Sequence, residues 1–138
     1  MAYFGYYNYT LDAANRIIVP SRFREQLGAE AVFYKSGDGC LFLYESPAYE
    51  AILEPVRHLS RTEDGREQMR TKIYAKSAAV SVDRNGRLVV PADCIEHAGL
   101  KSEVVILGAD KRIEVWDKDA YAAHIAKAET MDDPDIEF

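Results

Sequence analysis

The 138-residue sequence predicts a mainly β, α+β fold, built from two copies of one small unit and joined by helices. Three observations carry that expectation. The chain repeats itself: Leu11-Asp12-Ala13-Ala14-Asn15-Arg16-Ile17-Ile18-Val19-Pro20 aligns with Val82-Asp83-Arg84-Asn85-Gly86-Arg87-Leu88-Val89-Val90-Pro91 at an offset of 71 residues. Asp, Arg and Pro coincide, and Leu11, Ile17, Ile18 and Val19 are each answered by an apolar residue. Within each copy, short apolar runs rich in branched and aromatic side chains are separated by turn residues, as strands are. With 48% hydrophobic residues there is enough apolar matter for a core, yet no run is long enough to cross a bilayer.

The elements follow the repeat. In each copy a strand ends near Asp12 or Asp83, a tight turn follows, and a short apolar strand ends at Val19 or Val90. Pro20 and Pro91 then open short helices, because proline suits the first helical turn. Gly28 and Gly99 stop them. Two further strands are expected at about 31–36 and 40–45, and again at about 102–108 and 112–117, with Gly37-Asp38-Gly39 as the first hairpin turn. A helix closes each copy. Ser46-Pro47 is expected to cap the first, and Asp117 or Asp119 the second. Between the copies, Tyr49, Ile52, Leu53, Val56 and Leu59 have helical spacing that Pro55 breaks, and the charged stretch 62–76 is expected to hold another helix. The organisation is thus a first unit at 3–56, a helical connector at 57–76, a second unit at 77–127 and an acidic, disordered tail at 128–138.

The net charge of −6 argues, taken alone, against a polyanionic partner. Its distribution changes that. Glu129, Asp132, Asp133, Asp135 and Glu137 lie in the last ten residues, and removing those five charges from −6 leaves −1 for the other 128 residues. From Arg57 to Lys76, six basic residues face three acids. Cys40 and Cys94 are isolated in apolar segments and read as reduced packing residues of a cytoplasmic protein. The N-terminus has neither the basic nor the apolar region of a secretory signal. His58, His97 and His124 are scattered without metal-ligand spacing, and there is no glycine-rich phosphate loop or nucleophile motif. That inventory points away from an enzyme, a cofactor or a small-molecule substrate. The run Tyr3, Phe4, Tyr6, Tyr7, Tyr9 has the chemistry of a base-stacking platform but fits strand packing better.

The two Asp-x-x-x-Arg turns are the most informative feature. Asn15 and Gly86 occupy the same turn position and are the residue types that best tolerate a left-handed backbone. Asp12 and Asp83 can accept hydrogen bonds from turn amides, and Arg16 and Arg87 start the next strand. Each Asp and Arg can also simply pair to hold the turn, which does not prevent the arginine from meeting a phosphate.

These turns, together with Phe4-Gly5, Thr10-Leu11, Phe23-Arg24 and Ile113-Glu114-Val115-Trp116-Asp117, resemble the MraZ family over residues 3 to 127. The resemblance implies two AbrB-like swapped-hairpin β-barrel units per chain, arranged as a pseudo-dimer. It further implies a homo-oligomeric ring, an octamer or larger, acting on the nucleoid of the bacterial cytoplasm. Such a ring regulates, as a repressor, the promoter of the division and cell-wall gene cluster, and it binds short G-rich direct repeats of double-stranded DNA. Carried onto this chain, the DNA-contacting residues are Arg16 first and Arg87 second. By position, Arg22 and Arg24 on the following helix are further candidates, for phosphate contacts or as a solvated face, and so is Arg84 in the second turn. At the first turn, Ala14 and Asn15 stand where the family carries Lys and Gly, removing one positive charge per subunit. A rival is a toxin-binding module of the same superfamily, docking through the tail Met131 to Phe138.

Overall fold

The computed structural model describes residues 2–138. The chain runs β1 (Tyr6–Thr10), β2 (Arg16–Ile18), α1 (Ser21–Leu27), β3 (Glu30–Lys35), β4 (Leu41–Glu45), α2 (Ser46–Leu53), a 3-10 helix (Glu54–Arg61) and α3 (Glu63–Lys72). After a short helical turn at Tyr74–Lys76 come β5 (Ser77–Ser81), β6 (Arg87–Val89), α4 (Ala92–Ala98), β7 (Glu103–Ala109), β8 (Arg112–Asp117) and α5 (Lys118–Ala128). The expected strands and closing helices are present within a residue or two. The fold is α+β, as expected.

Six strands form one antiparallel sheet in the order β1-β7-β8-β4-β3-β5, and β2 and β6 form a separate two-stranded ribbon. Hairpins β3–β4 and β7–β8 pair within their own repeats, and every other strand pairing joins one repeat to the other. Strand β1 of the first repeat pairs with β7 of the second, from Tyr6↔Leu107 to Thr10↔Glu103. Strand β5 of the second pairs with β3 of the first, from Glu30↔Ser81 to Tyr34↔Ser77. At the centre β4 meets β8 through Leu41↔Val115, Phe42↔Glu114 and Leu43↔Ile113.

One expectation is corrected. No strand pairing closes a barrel among the described residues: β1 and β5 are the two edges of an open sheet. The physical reason lies in β2 and β6. Each is three residues long and forms its only ladder with the other, beyond which Leu88 makes a single bridge to Val82. Pro20 and Pro91 follow within two residues of their ends, and a proline cannot donate to a continuing ladder.

The core lies between the six-stranded sheet and the ribbon. Ile17 and Leu88, paired across the ribbon, are buried together with Phe33, Leu43, Ile113 and Val115 of the sheet. Helix α1 contributes Phe23 and Leu27, and α4 contributes Cys94 and Ala98. Both thiols are buried and free, and desolvation pushes Cys40 up to about 12 and Cys94 up to about 11, which suits inert packing groups. The N-terminal aromatics alternate. Tyr3 is buried edge-on to Phe23 at 5.3 Å, Phe4 and Tyr6 are exposed, and Tyr7 packs edge-on against Phe23 at 5.5 Å. On the second repeat, Glu114 is buried but fully engaged, accepting from Arg112 at 2.8 Å and 3.0 Å and from the Trp116 indole at 3.0 Å.

Helix boundaries show the same local chemistry. Pro55 ends α2 at Leu53, and the chain continues as the 3-10 helix. The charged connector does hold a helix, α3, whose Thr62 side chain accepts from the Gly65 amide. Ser46 does not cap α2. It is already helical, Glu45 occupies the cap position, and no side-chain cap bond forms. For α5 the choice between two aspartates falls on Asp117, which accepts from the Ala120 amide at 3.1 Å. Residues 131–138 form no helix or strand.

Candidate nucleic-acid interface

The two turns are built alike, one atom at a time. At the first, the Asp12 amide donates to the Arg16 carbonyl and the Asn15 amide to the Asp12 carbonyl, both at 3.0 Å. One Asp12 oxygen accepts from the amides of Ala14 (2.9 Å) and Arg16 (2.8 Å), and the other from Arg16 Nε (2.9 Å). At the second, Asp83 accepts from the amides of Asn85 (2.8 Å) and Arg87 (2.9 Å), and from Arg87 Nε (3.1 Å). Asn15 (φ 60°) and Gly86 (φ 77°) both adopt the left-handed conformation expected of them. Each turn also holds the other's strand: the Val19 amide donates to the Gly86 carbonyl at 2.7 Å, and the Val90 amide to the Asn15 carbonyl at 2.8 Å.

Both aspartates have pKa values held below the ordinary range, first by the backbone N–H of Arg16 or Arg87. A folded pKa below the unfolded one means that the unfolded chain binds more protons as pH drops. The turns' contribution is therefore complete above the unfolded value, about 3.9. It is lost as pH falls through the folded values. The Asp12 and Asp83 carboxyl carbons are expected to titrate, by NMR, below model aspartate, and midpoints at or above that of model aspartate would show the turns to be open.

The ribbon then sorts the side chains. Arg16 pairs with Val89 and Ile18 with Arg87, flanking the central Ile17↔Leu88 pair. Side chains alternate along a strand, and directly paired residues share a face. Ile17 and Leu88 thus point into the core while Arg16, Ile18, Arg87 and Val89 share the outer face. Burial agrees: Ile17 and Leu88 are each 1% exposed, whereas Ile18 is 42% and Val89 55% exposed. The two arginines stand two residue steps apart along the ribbon, about 7 Å by strand rise. Only Nε of each is engaged, by its own aspartate, and their Nη groups make no hydrogen bond among the described residues.

The other candidate arginines separate. Arg22 and Arg84 are exposed, without an ion pair among the described residues. Arg24 is half-buried, and its Nε donates to the Val19 carbonyl at 2.9 Å. It crosses to the second turn, where a Cβ on Gly86 would lie 2.2 Å from Arg24 Nε. Arg24, Gly28, Ala29, Val82, Asp83 and Arg84 line one cleft. The exposure of Ile18 and Val89 was not visible in sequence, because Ile17-Ile18-Val19 and Leu88-Val89-Val90 read as unbroken apolar runs. The three histidines do not converge. His58 Nδ1 meets the Pro55 carbonyl, His97 Nε2 meets the Ser36 carbonyl, and the His124 ring lies tilted against Trp116 at 4.7 Å. Among the described residues there is no cluster able to hold a metal ion and no helix long and apolar enough to cross a membrane.

Fold and site define a class: a two-repeat, strand-exchanged sheet protein that presents two aspartate-anchored arginines on one exposed ribbon. A family model described as "MraZ protein, putative antitoxin-like" matches residues 2–71 and 73–136. The chain is 34% identical over 122 residues to the protein named Transcriptional regulator MraZ of Clostridium acetobutylicum, covering 88% of this chain and 86% of that one. It is 35% identical over 122 residues to those of the same name from Lachnoclostridium phytofermentans and Acetivibrio thermocellus, again covering 88% of this chain, and 86% and 85% of theirs. The chain belongs to the MraZ family.

Proposed function

We propose that this chain is a sequence-specific, DNA-binding transcriptional regulator, acting as a repressor at the promoter of the bacterial division and cell-wall gene cluster. The observation that carries the reading is the outer face of the β2–β6 ribbon, where Arg16 and Arg87 flank exposed Ile18 and Val89. A two-stranded β-ribbon fits the major groove of B-form DNA. An arginine with free Nη groups suits guanine O6 and N7, and small apolar side chains suit the thymine methyl. The family relatives' name, Transcriptional regulator MraZ, supports the same reading.

In this proposal the two halves, 3–56 and 77–127, are swapped-hairpin units of AbrB type related as a pseudo-dimer. The exchange of β1, β5 and the ribbon strands supports that relation. Residues 57–76 connect them, and 128–138 form an acidic tail. Chains assemble into a ring, an octamer or larger, on the nucleoid in the cytoplasm. A subunit of net charge −6, near neutral only without its tail, binds weakly through its few site arginines, but several subunits on direct repeats raise avidity by roughly 10² to 10⁴.

The test is binding of the purified protein to a duplex of its own upstream promoter, against a scrambled duplex, across a salt series. Selective binding that falls steeply with salt is the expected result. Equal, weak binding to both duplexes would remove the reading.

A further inference from the structure

We infer that the cleft between α1 and the second turn is a seat for a backbone phosphodiester, with Arg24 and Arg84 as its cationic ligands. The two arginine turns of one chain then grip nucleic acid unequally. This rests on the reading that the ribbon faces DNA, and it extends that reading to where the backbone is held.

The cleft measures about 230 Å³ and sits beside the ribbon, at the left-handed turn of Gly86. Arg24 reaches it from the first repeat, so the site is composite. The Val19 carbonyl fixes its Nε, and the missing side chain of Gly86 leaves the space its guanidinium fills. Arg84 reaches the cleft from the turn itself and carries no ion pair among the described residues. Asp83, the one carboxylate lining the cleft, already accepts from two amides and is paired with Arg87. Two guanidinium groups that make no ion pair among the described residues, one immobilised in advance, suit a phosphate oxygen pair.

The first turn has no such seat. At the offset of 71, the counterpart of Arg24 is Ile95, half-buried against the core, and that of Arg84 is Ala13. Three arginines thus attend the second turn's single aspartate, where one attends the first's.

The test is fluorescence anisotropy with the promoter and scrambled duplexes over a salt series. Arg84→Ala and Arg24→Gln are each expected to weaken both duplexes by the same several-fold factor, keeping the preference between them. Each is expected to lower the salt slope by about 0.9 for every phosphate no longer neutralised. Ala13→Arg, which gives the first turn the missing charge, is expected to steepen the slope. Lys127→Ala, which removes an exposed charge on α5 outside the ribbon and the cleft, is expected to leave both affinity and slope unchanged. Arg84 is exposed and unpaired, so its replacement tests the seat whatever Arg24→Gln does to folding. Selective wild-type binding with an unchanged slope in Arg84→Ala, or a Lys127→Ala loss equal to that of Arg24→Gln, would overturn this inference alone. A wild-type protein that does not prefer its promoter would overturn the functional reading, and this inference with it.

Discussion

A chain carrying both Arg16→Ala and Arg87→Ala is expected to bind its promoter duplex no better than a scrambled one. Each bidentate arginine–guanine pair discriminates by about 1–3 kcal/mol, roughly five- to 150-fold. The two arginines share one ribbon face, so a single docked subunit presents both at once. Removing them together is expected to cost at least about 100-fold in promoter affinity, because losses at each engaged subunit compound through avidity. The fold is expected to survive. Each guanidinium is tied only to its own exposed aspartate, and such surface pairs add little to stability. Circular dichroism and the melting midpoint check that point, and anisotropy on the two duplexes checks the main one. Promoter preference retained in the double variant would place recognition elsewhere on the molecule.

The repeat was legible because its residues carry local instructions. The left-handed positions at Asn15 and Gly86, the aspartates that fold back on the turns and the prolines that end β2 and β6 all act within a few residues. The strand exchange was not legible in the same way. Both halves carry the same alternation, so β1 finds an equally apolar partner in β3 or in β7, and only the three-dimensional path selects β7. The closed barrel implied by the resemblance failed for a related reason. Nothing in Arg16-Ile17-Ile18 or Arg87-Leu88-Val89 says that two three-residue strands will pair with each other and leave the sheet edges open. At the site, Arg16 and Arg87 were readable from their turns. Arg24 was readable as a candidate contact from its place on α1, but its seat against the second turn was not, because Gly86 lies 62 positions away in the other repeat. A glycine at a turn is ordinary, and no local signal distinguishes one required by its φ from one required by a neighbour.

That difference can be measured, since Gly86→Ala is expected to be the most damaging small substitution at the site. Two costs meet there. At φ 77°, alanine places its Cβ against backbone, at about 1–2 kcal/mol. The same Cβ would stand 2.2 Å from Arg24 Nε, 2.5 Å from Cζ and 2.9 Å from Cδ. Those atoms are not a free end: Nε is anchored on the Val19 carbonyl, and the Val19 amide in turn donates to the Gly86 carbonyl. Relieving the collision gives up the Arg24 bond, a further loss of about 1 kcal/mol. A total of about 2–3 kcal/mol is expected, lowering the melting midpoint by roughly 5–10 °C. Gly86→Asn separates the two costs, because asparagine accepts the left-handed backbone, as Asn15 does at φ 60°, yet still carries a Cβ. It is expected to fall between wild type and alanine. In a chain that already carries Arg24→Ala, the collision has no partner, and Gly86→Ala is expected to cost only its backbone strain. An undiminished penalty in that background would show that Gly86 is required by its conformation alone and that Arg24 is not seated against it.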